Sequence, residues 1–289
     1  VQLASSVVSP THPTIVLVHG LDSSKQTWEC VLAELQGSGY PALALDLRGH
    51  GESPLGVEDD FGPSALAADV KTALTALGIT DKVVLVGHSM GGRVAMRFAA
   101  DYPDSLAALV IEDMDIRKRA GVGPVPQGAA GTFQQFSDFE GRMFSSWEEV
   151  KKALLPWYDD ARIEGWKGKR IREVPGGFWS DVNPKAMRLA RDMVLASSDG
   201  AAAWGELCAT GLAAKCPVHV WVADPKFTVC DLDGPGGVLE MKKAMPAAYV
   251  REWPGAAHSI HNTASEEFVE SLKQIANSAS QRKGFDVQK

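Results

Sequence analysis

Short aliphatic runs recur along the chain at Ile15 to Val18, Ala42 to Leu45, Val83 to Val86, Leu106 to Ile111 and Val218 to Val222. Each is apolar throughout instead of alternating with polar residues, the pattern of a strand buried on both faces. Stretches with helical spacing lie between them, at Lys25 to Gln36, Pro63 to Leu77 and Gly91 to Ala100. A rhythm of apolar run, turn and helix predicts an α/β fold with a mostly parallel central sheet and flanking crossover helices.

The rhythm breaks from about Ile116 to Gly200 and then returns. This region holds Gly/Pro-rich turns (Gly121 to Gly131), basic helical stretches and the aromatics Phe133, Phe136, Phe139, Phe144, Trp147, Trp157 and Trp166. It reads as a mostly helical cap over 117–200, set into one core domain made of 1–116 and 201–289. A separate tandem domain is the weaker alternative, because the chain must come back to complete the sheet.

Composition narrows the classes. With 45% hydrophobic and 22% charged residues among 289, the chain has material for a substantial core and is neither a disordered nor a repetitive sequence. A net charge of −7 gives no electrostatic reason to expect nucleic acid or an anionic membrane surface. The basic clusters Arg117-Lys118-Arg119 and Lys167 to Arg172 read as solvated faces. The longest apolar stretches are strand-length, so no membrane span is expected. Cys30, Cys208, Cys216 and Cys230 lack zinc-site spacing and disulfide density, which favours reduced thiols and an intracellular setting. The chain begins with Val, so a removed targeting peptide, and with it an organelle, is compatible with the sequence.

Candidate chemistry starts at Gly87-His88-Ser89-Met90-Gly91, a G-x-S-x-G pattern between a predicted strand and a predicted helix. That context predicts a sharp turn that lifts the Ser89 hydroxyl from the carboxyl edge of the sheet, as a nucleophile requires. The helix beyond it aims its N-terminal dipole at developing negative charge. His19-Gly20-Leu21 ends the first strand, one strand–helix–strand unit upstream. The backbone N–H groups of Leu21 and Met90 are therefore the candidate oxyanion donors, with His19 shaping the loop. Asp46-Leu47-Arg48-Gly49-His50-Gly51-Glu52-Ser53 reads as a structural turn pinned by an Asp–Arg pair.

The motifs HGLDSS, DLRGHGES and GHSMGG, in this order and spacing, resemble the α/β-hydrolase fold family. The resemblance covers residues 14 to 113 and 215 to 276, and the cap only in part. It implies that Gly255-Ala256-Ala257-His258-Ser259-Ile260-His261 is the catalytic-histidine loop, between a last strand Tyr249 to Trp253 and a final helix of about Ala264 to Ile275. His258 is then the general base and His261 a supporting residue. The family usually has Gly where Ala257 stands.

The triad acid is left open between several positions. Many family members carry it about nine residues after the proline that here is Pro217, which lands on Lys226. Asp224 comes two residues early and Asp231 falls late, while Asp115 and Asp113 follow the preceding strand. A branch of small esterases and thioesterases has aliphatics and then Asp at that earlier place, and an aromatic stretch ending in Val-Asn within the cap. This chain has Phe178-Trp179-Ser180-Asp181-Val182-Asn183, so the resemblance favours Asp113, with Asp224 as the alternative acid. Glu112 stands where an aliphatic residue is usual.

The expectation is a Ser-His-Asp esterase or thioesterase acting on a small molecule with an apolar acyl part, through an acyl-enzyme, as a monomer or homodimer. The chemistry needs no metal or organic cofactor, and the sequence shows no metal-ligand cluster. Phe178, Trp179 and His88 are candidate substrate-binding residues, although simple packing explains each of them. Ser89 argues against dehalogenase or epoxide-hydrolase chemistry, which the resemblance ties to an Asp nucleophile. A lyase, a C–C hydrolase, an acyltransferase and a ligand receptor with vestigial hydrolysis remain rival outcomes on the same fold.

Overall fold

The computed structural model describes residues 12–56, 60–120, 143–155 and 158–286. The Gly121 to Gly131 turns, Phe133, Phe136, Phe139 and Trp157 lie outside the described residues.

Six strands, β1 (Ile15–Val18), β2 (Ala42–Leu45), β3 (Val83–His88), β4 (Leu106–Glu112), β8 (Val218–Ala223) and β9 (Tyr249–Trp253), form one sheet in the order β2-β1-β3-β4-β8-β9. Every pairing in it is parallel. Among the described residues between β4 and β8 lie three further strands, β5 (Met143–Phe144), β6 (Ile171–Val174) and β7 (Gly177–Ser180).

Why these runs become interior strands is visible in where alternate residues go. Val16, Val18, Leu43, Leu45, Leu85 and Leu109 enter one apolar cluster, together with Leu66 and Val70 of α2 (Pro63–Ala76) and Val94 and Phe98 of α3 (Met90–Asp101). Ile15, Leu17, Ala44, Val84, Val86 and Val110 enter the opposite one, with Val31 and Leu35 of α1 (Glu29–Gly37) and Phe268 and Leu272 of the C-terminal helix Ser265–Asp286. Both faces of the sheet are therefore buried, which is what continuously apolar strands require.

The segment between β4 and β8 combines short helices with a sheet. It contains α4 (Trp147–Leu154), α5 (Asp160–Gly165) and α6 (Pro184–Leu189), which runs into a π-helical turn at Ala190–Leu195. The strands β5, β7 and β6 form an antiparallel sheet in that order, so the segment is not helical alone. Phe144, Val150, Leu154, Ile163, Ile171 and Met187 make a small core of their own. Leu21, from the loop after β1, packs against this core and against the main one, and so joins the two.

The basic clusters are not merely solvated. Arg117 and Arg119 converge on the buried Asp115, at 3.4 and 3.1 Å, and Arg93 approaches it at 3.7 Å from α3. Arg162 and Arg170 lie over the Trp166 ring, and Arg172 over Trp179. No disulfide joins Cys30, Cys208, Cys216 and Cys230. No helix among the described residues is long and apolar enough to cross a membrane.

Candidate active site

The chain switches direction between β1 and β3: from β1 it moves outward to β2, then returns to lay β3 on the other side. Loops at the carboxyl ends of strands open a crevice at such a switch point. The loops after β1, β3, β4, β8 and β9 all leave from that edge, and they carry the candidate chemistry.

Ser89 sits between β3 and α3 with φ 53 and ψ −121, a left-handed conformation that a non-glycine residue adopts only under constraint. The constraint comes from both sides. Its N–H donates to the Glu112 carbonyl at 2.8 Å, and its own carbonyl accepts from Gly92 N–H at 2.8 Å. Close approach also demands small neighbours: a Cβ on Gly91 would lie 2.5 Å from the carbonyl oxygens of Val18 and His19. Met90 opens α3, so its amide belongs to the first turn, whose N–H groups have no intrahelical acceptor.

The loop after β1 presses directly on this turn. A Cβ on Gly20 would come within 2.9 Å of His88 Nδ1 and 3.0 Å of Ser89 Cβ. His19 shapes the loop as a neutral ring. Its Nδ1–H donates to the Gly20 carbonyl at 2.7 Å, and its Nε2 accepts from Leu47 N–H at 3.1 Å. Burial holds the His19 pKa below the usual histidine value. The neighbouring turn is pinned differently from the expected Asp46–Arg48 pair. Asp46 accepts from the backbone N–H and Nζ of Lys25 at 2.6 and 3.0 Å, while Arg48 binds Asp69. A buried lysine reaching across from another loop is a partner that local sequence does not reveal.

Asp113, immediately after β4, has φ 47 and is fully buried. Its Oδ2 lies 2.6 Å from His258 Nδ1 and accepts from Val229 N–H at 3.1 Å. Its Oδ1 accepts from Ala223 N–H at 2.9 Å and from the Thr228 hydroxyl at 2.5 Å. Burial alone would raise the Asp113 carboxyl, but the bonds from His258, Thr228, Ala223 and Val229 outweigh it and hold the group below the usual aspartate range. Cys230 Sγ stands 3.6 Å from the same carboxylate, and burial pushes its thiol pKa up.

The other acids are engaged elsewhere. Asp224 accepts from Lys226 N–H at 3.0 Å and Gly255 N–H at 2.8 Å, which shapes the turn leading into the histidine loop. Asp231 accepts from Gly234 N–H at 2.8 Å and from Arg117. Asp115 sits among the arginines named above.

Beside Ser89, His88 ties the two candidate catalytic loops together. Its Nε2–H donates to the His258 carbonyl at 3.1 Å, and the two rings lie 4.6 Å apart. Burial depresses its pKa to about 4, so the ring is neutral near physiological pH. Phe178 packs on Trp147, with ring centroids 5.5 Å apart, inside the cap. Trp179 lies against Arg172 and lines a narrow cleft with Ser24, Gln26 and Asp46.

Several participants escape a reading of the sequence. Thr228 lies 115 positions from the carboxylate it serves. Arg170, in the cap, donates to the Asp22 carbonyl and carboxylate at 3.0 and 3.1 Å and to Asp181 at 2.8 Å. His88, Glu112 and His261 present ligand-type atoms within 4.8 Å of one another, a grouping no local spacing shows.

Residues 15–271 match the sequence model of the alpha/beta hydrolase family. The chain belongs to that family. Within this family, it is 40% identical over 98 residues to "Putative carbamate hydrolase RutD" of Escherichia coli O44:H18, a match covering 34% of this chain and 36% of that protein. It is 37% identical over 124 residues to "sn-1-specific diacylglycerol lipase ABHD11" of Mus musculus, covering 43% of this chain and 38% of that one. The matched region is thus little more than a third of either relative's own length. Among solved α/β-hydrolase structures, that of E-2-(acetamidomethylene)succinate hydrolase aligns with a TM-score of 0.62 and 22% identity over 91% of each chain. A marine microorganism esterase aligns with a TM-score of 0.62 and 19% identity, over 93% of this chain and 97% of its own. At such identities the likeness is one of fold.

Proposed function

We propose that this chain is a serine hydrolase that cleaves a carboxylic ester or thioester through a covalent acyl-enzyme. The observation that carries the proposal is the 2.6 Å contact between His258 Nδ1 and Asp113 Oδ2. It fixes one imidazole nitrogen on a buried carboxylate, which supports the reading in which Nε2 serves Ser89.

In the proposed mechanism, Asp113 accepts a hydrogen bond from Nδ1–H and so holds His258 in the tautomer whose Nε2 is free to act as a base. His258 takes the proton of Ser89 as Oγ attacks the acyl carbonyl. The amides of Leu21 and Met90 receive the oxyanion, an interaction worth about 3 kcal/mol per donor. His258 then protonates the leaving group. It next activates a water that releases the acid and restores Ser89. These steps call on the protein's own side chains and amides alone.

The cap, drawn over 117–200, is the proposed source of selectivity. Its apolar core meets the oxyanion loop at Leu21, which supports a substrate with an apolar acyl part. The relatives' names, a carbamate hydrolase and a diacylglycerol lipase, both describe attack on an acyl carbon and agree with this reaction class.

Steady-state hydrolysis of p-nitrophenyl esters from short to long acyl chains tests the proposal. Wild type turns over, Ser89→Ala loses roughly 10⁵–10⁶-fold in kcat, and Asp113→Asn loses roughly 10³–10⁴-fold. Asp224→Asn stays within a few-fold, since Asp224 accepts from the backbone of Lys226 and Gly255 and holds no part of the proposed triad. Loss in Asp224→Asn with normal turnover in Asp113→Asn would overturn the assignment of the acid.

A further inference from the structure

Glu112 and Asp113 stand side by side at the end of β4, and each takes a histidine from the same loop. Asp113 holds His258. Glu112 accepts from the backbone N–H of His261 at 3.0 Å and from its Nδ1–H at 2.8 Å through Oε1 and 3.0 Å through Oε2. Both side chains of this second pair are fully buried. The far nitrogen of His261, Nε2, accepts from the Thr27 hydroxyl at 2.9 Å, and its ring packs at a tilt against Trp28 with centroids 4.0 Å apart.

The pair grips the histidine loop at one end while His88 grips its middle through the His258 carbonyl. Glu112 also touches the nucleophile turn, because its carbonyl accepts the Ser89 N–H. One residue therefore connects the backbone of Ser89 to the loop that carries the base.

Stability does not account for a carboxylate here. Burying it costs several kcal/mol before the histidine offsets the loss, and an apolar pair of similar volume is often as stable or more so. Nor does the grouping with His88 leave a ligand set for a cation. The Glu112 oxygens and His261 Nδ1 are spent on each other, His88 Nε2 is spent on the His258 carbonyl, and His88 Nδ1 lies against Gly20.

We infer that the Glu112–His261 pair is a positioning device, which fixes the histidine loop so that His258 stays aligned between Asp113 and Ser89. This rests on the serine-hydrolase reading above. The pair touches no reacting atom and acts through His258.

The test compares Glu112→Leu/His261→Leu and Glu112→Gln with wild type. Three quantities are read: thermal unfolding, kcat and KM on a p-nitrophenyl ester that wild type hydrolyses, and the rate at which a fluorophosphonate labels Ser89. The double variant is expected to unfold at or near the wild-type temperature. Its kcat and labelling rate should nonetheless fall by about tenfold to a hundredfold, with KM within about twofold, because misplacement of a catalytic group is costly. Glu112→Gln keeps an acceptor for His261 N–H and should fall between the two. A folded double variant with wild-type kcat and labelling overturns the inference. If the double variant does not fold, Glu112→Gln decides: reduced kcat at unchanged KM supports the inference, and wild-type kcat overturns it. Wild-type protein that does not react with the fluorophosphonate at all defeats the serine-hydrolase reading itself, and the positioning role with it.

Discussion

Arg170 of the cap donates to both the backbone carbonyl and the carboxylate of Asp22, at 3.0 and 3.1 Å. Asp22 follows Leu21, the proposed oxyanion donor, and holds a left-handed φ of 57. Asp181 takes a third bond from the same guanidinium, at 2.8 Å. Although burial opposes the charge on Arg170, Asp181 and Asp22 outweigh it and keep its pKa above the usual value. Arg170 thus ties the segment between β4 and β8 to the loop that carries Leu21.

Replacing Arg170 with Ala leaves two poorly exposed carboxylates without their main partner. Breaking such a pair costs roughly 3–5 kcal/mol. Denaturant unfolding should show a loss of that order, and kcat should drop with it because Asp22 no longer braces Leu21. Unchanged stability together with unchanged kcat would mean that the clamp does not matter.

A quieter substitution probes the proposed acid. Thr228→Val keeps the shape of the side chain and removes its bond to Asp113. A hydrogen bond to a charged group contributes about 1.5–3 kcal/mol, so kcat should fall by roughly tenfold to a hundredfold. The sign of the pH effect also follows. The Asp113 pKa is depressed in the fold, so its stabilisation is present above the usual aspartate value and is lost as pH falls through the depressed one. Removing one donor raises that folded value. Acid unfolding of Thr228→Val should therefore begin at a higher pH than that of wild type, and an unshifted acid transition would count against the role given to Thr228.

His88 makes the opposite contribution. Burial lowers its pKa from 6.5 to about 4 in the folded chain, so the unfolded chain binds its proton first as pH falls. Stability should decline between those two values, by roughly 2 kcal/mol from this residue at about pH 5. Half-buried His219, also lowered to about 4 by desolvation, adds to the same slope. The measurement is thus a difference: His88→Asn should lose less stability than wild type between about pH 7 and pH 5. Parallel curves for the two proteins would refute this account.

Gly20→Ala tests the packing of the proposed oxyanion loop on the Ser89 turn. The new methyl would sit 2.9 Å from His88 Nδ1 and 3.0 Å from Ser89 Cβ, too close for either to stay in place. A displaced Leu21 amide should reduce kcat by about 10²–10³-fold, the usual effect of losing one oxyanion donor. A kcat near that of wild type would place the donor elsewhere.

The strands were legible in the sequence because parallel strands buried on both faces leave uninterrupted aliphatic runs. Ile15–Val18, Ala42–Leu45 and Tyr249–Trp253 begin and end where the pattern and the family resemblance expect. The cap sheet was not legible, because Ile171-Arg172-Glu173-Val174 is half exposed and has no apolar run to show. Ser89 and His258 stood in recognisable local contexts. Asp113 could not be separated from Asp224 by spacing, since the choice depends on a backbone turn at φ 47 and on donors from Thr228 and Val229. Glu112 looked out of place only because its partner, His261, lies 149 positions away.

The most direct measurement is intact-mass and peptide analysis of the protein quenched during turnover of a p-nitrophenyl ester. The account predicts one added acyl group on the peptide that contains Ser89, absent in Ser89→Ala and accumulating before steady state in wild type. Turnover of the ester with no acyl group on Ser89, or with Ser89→Ala as active as wild type, would contradict it.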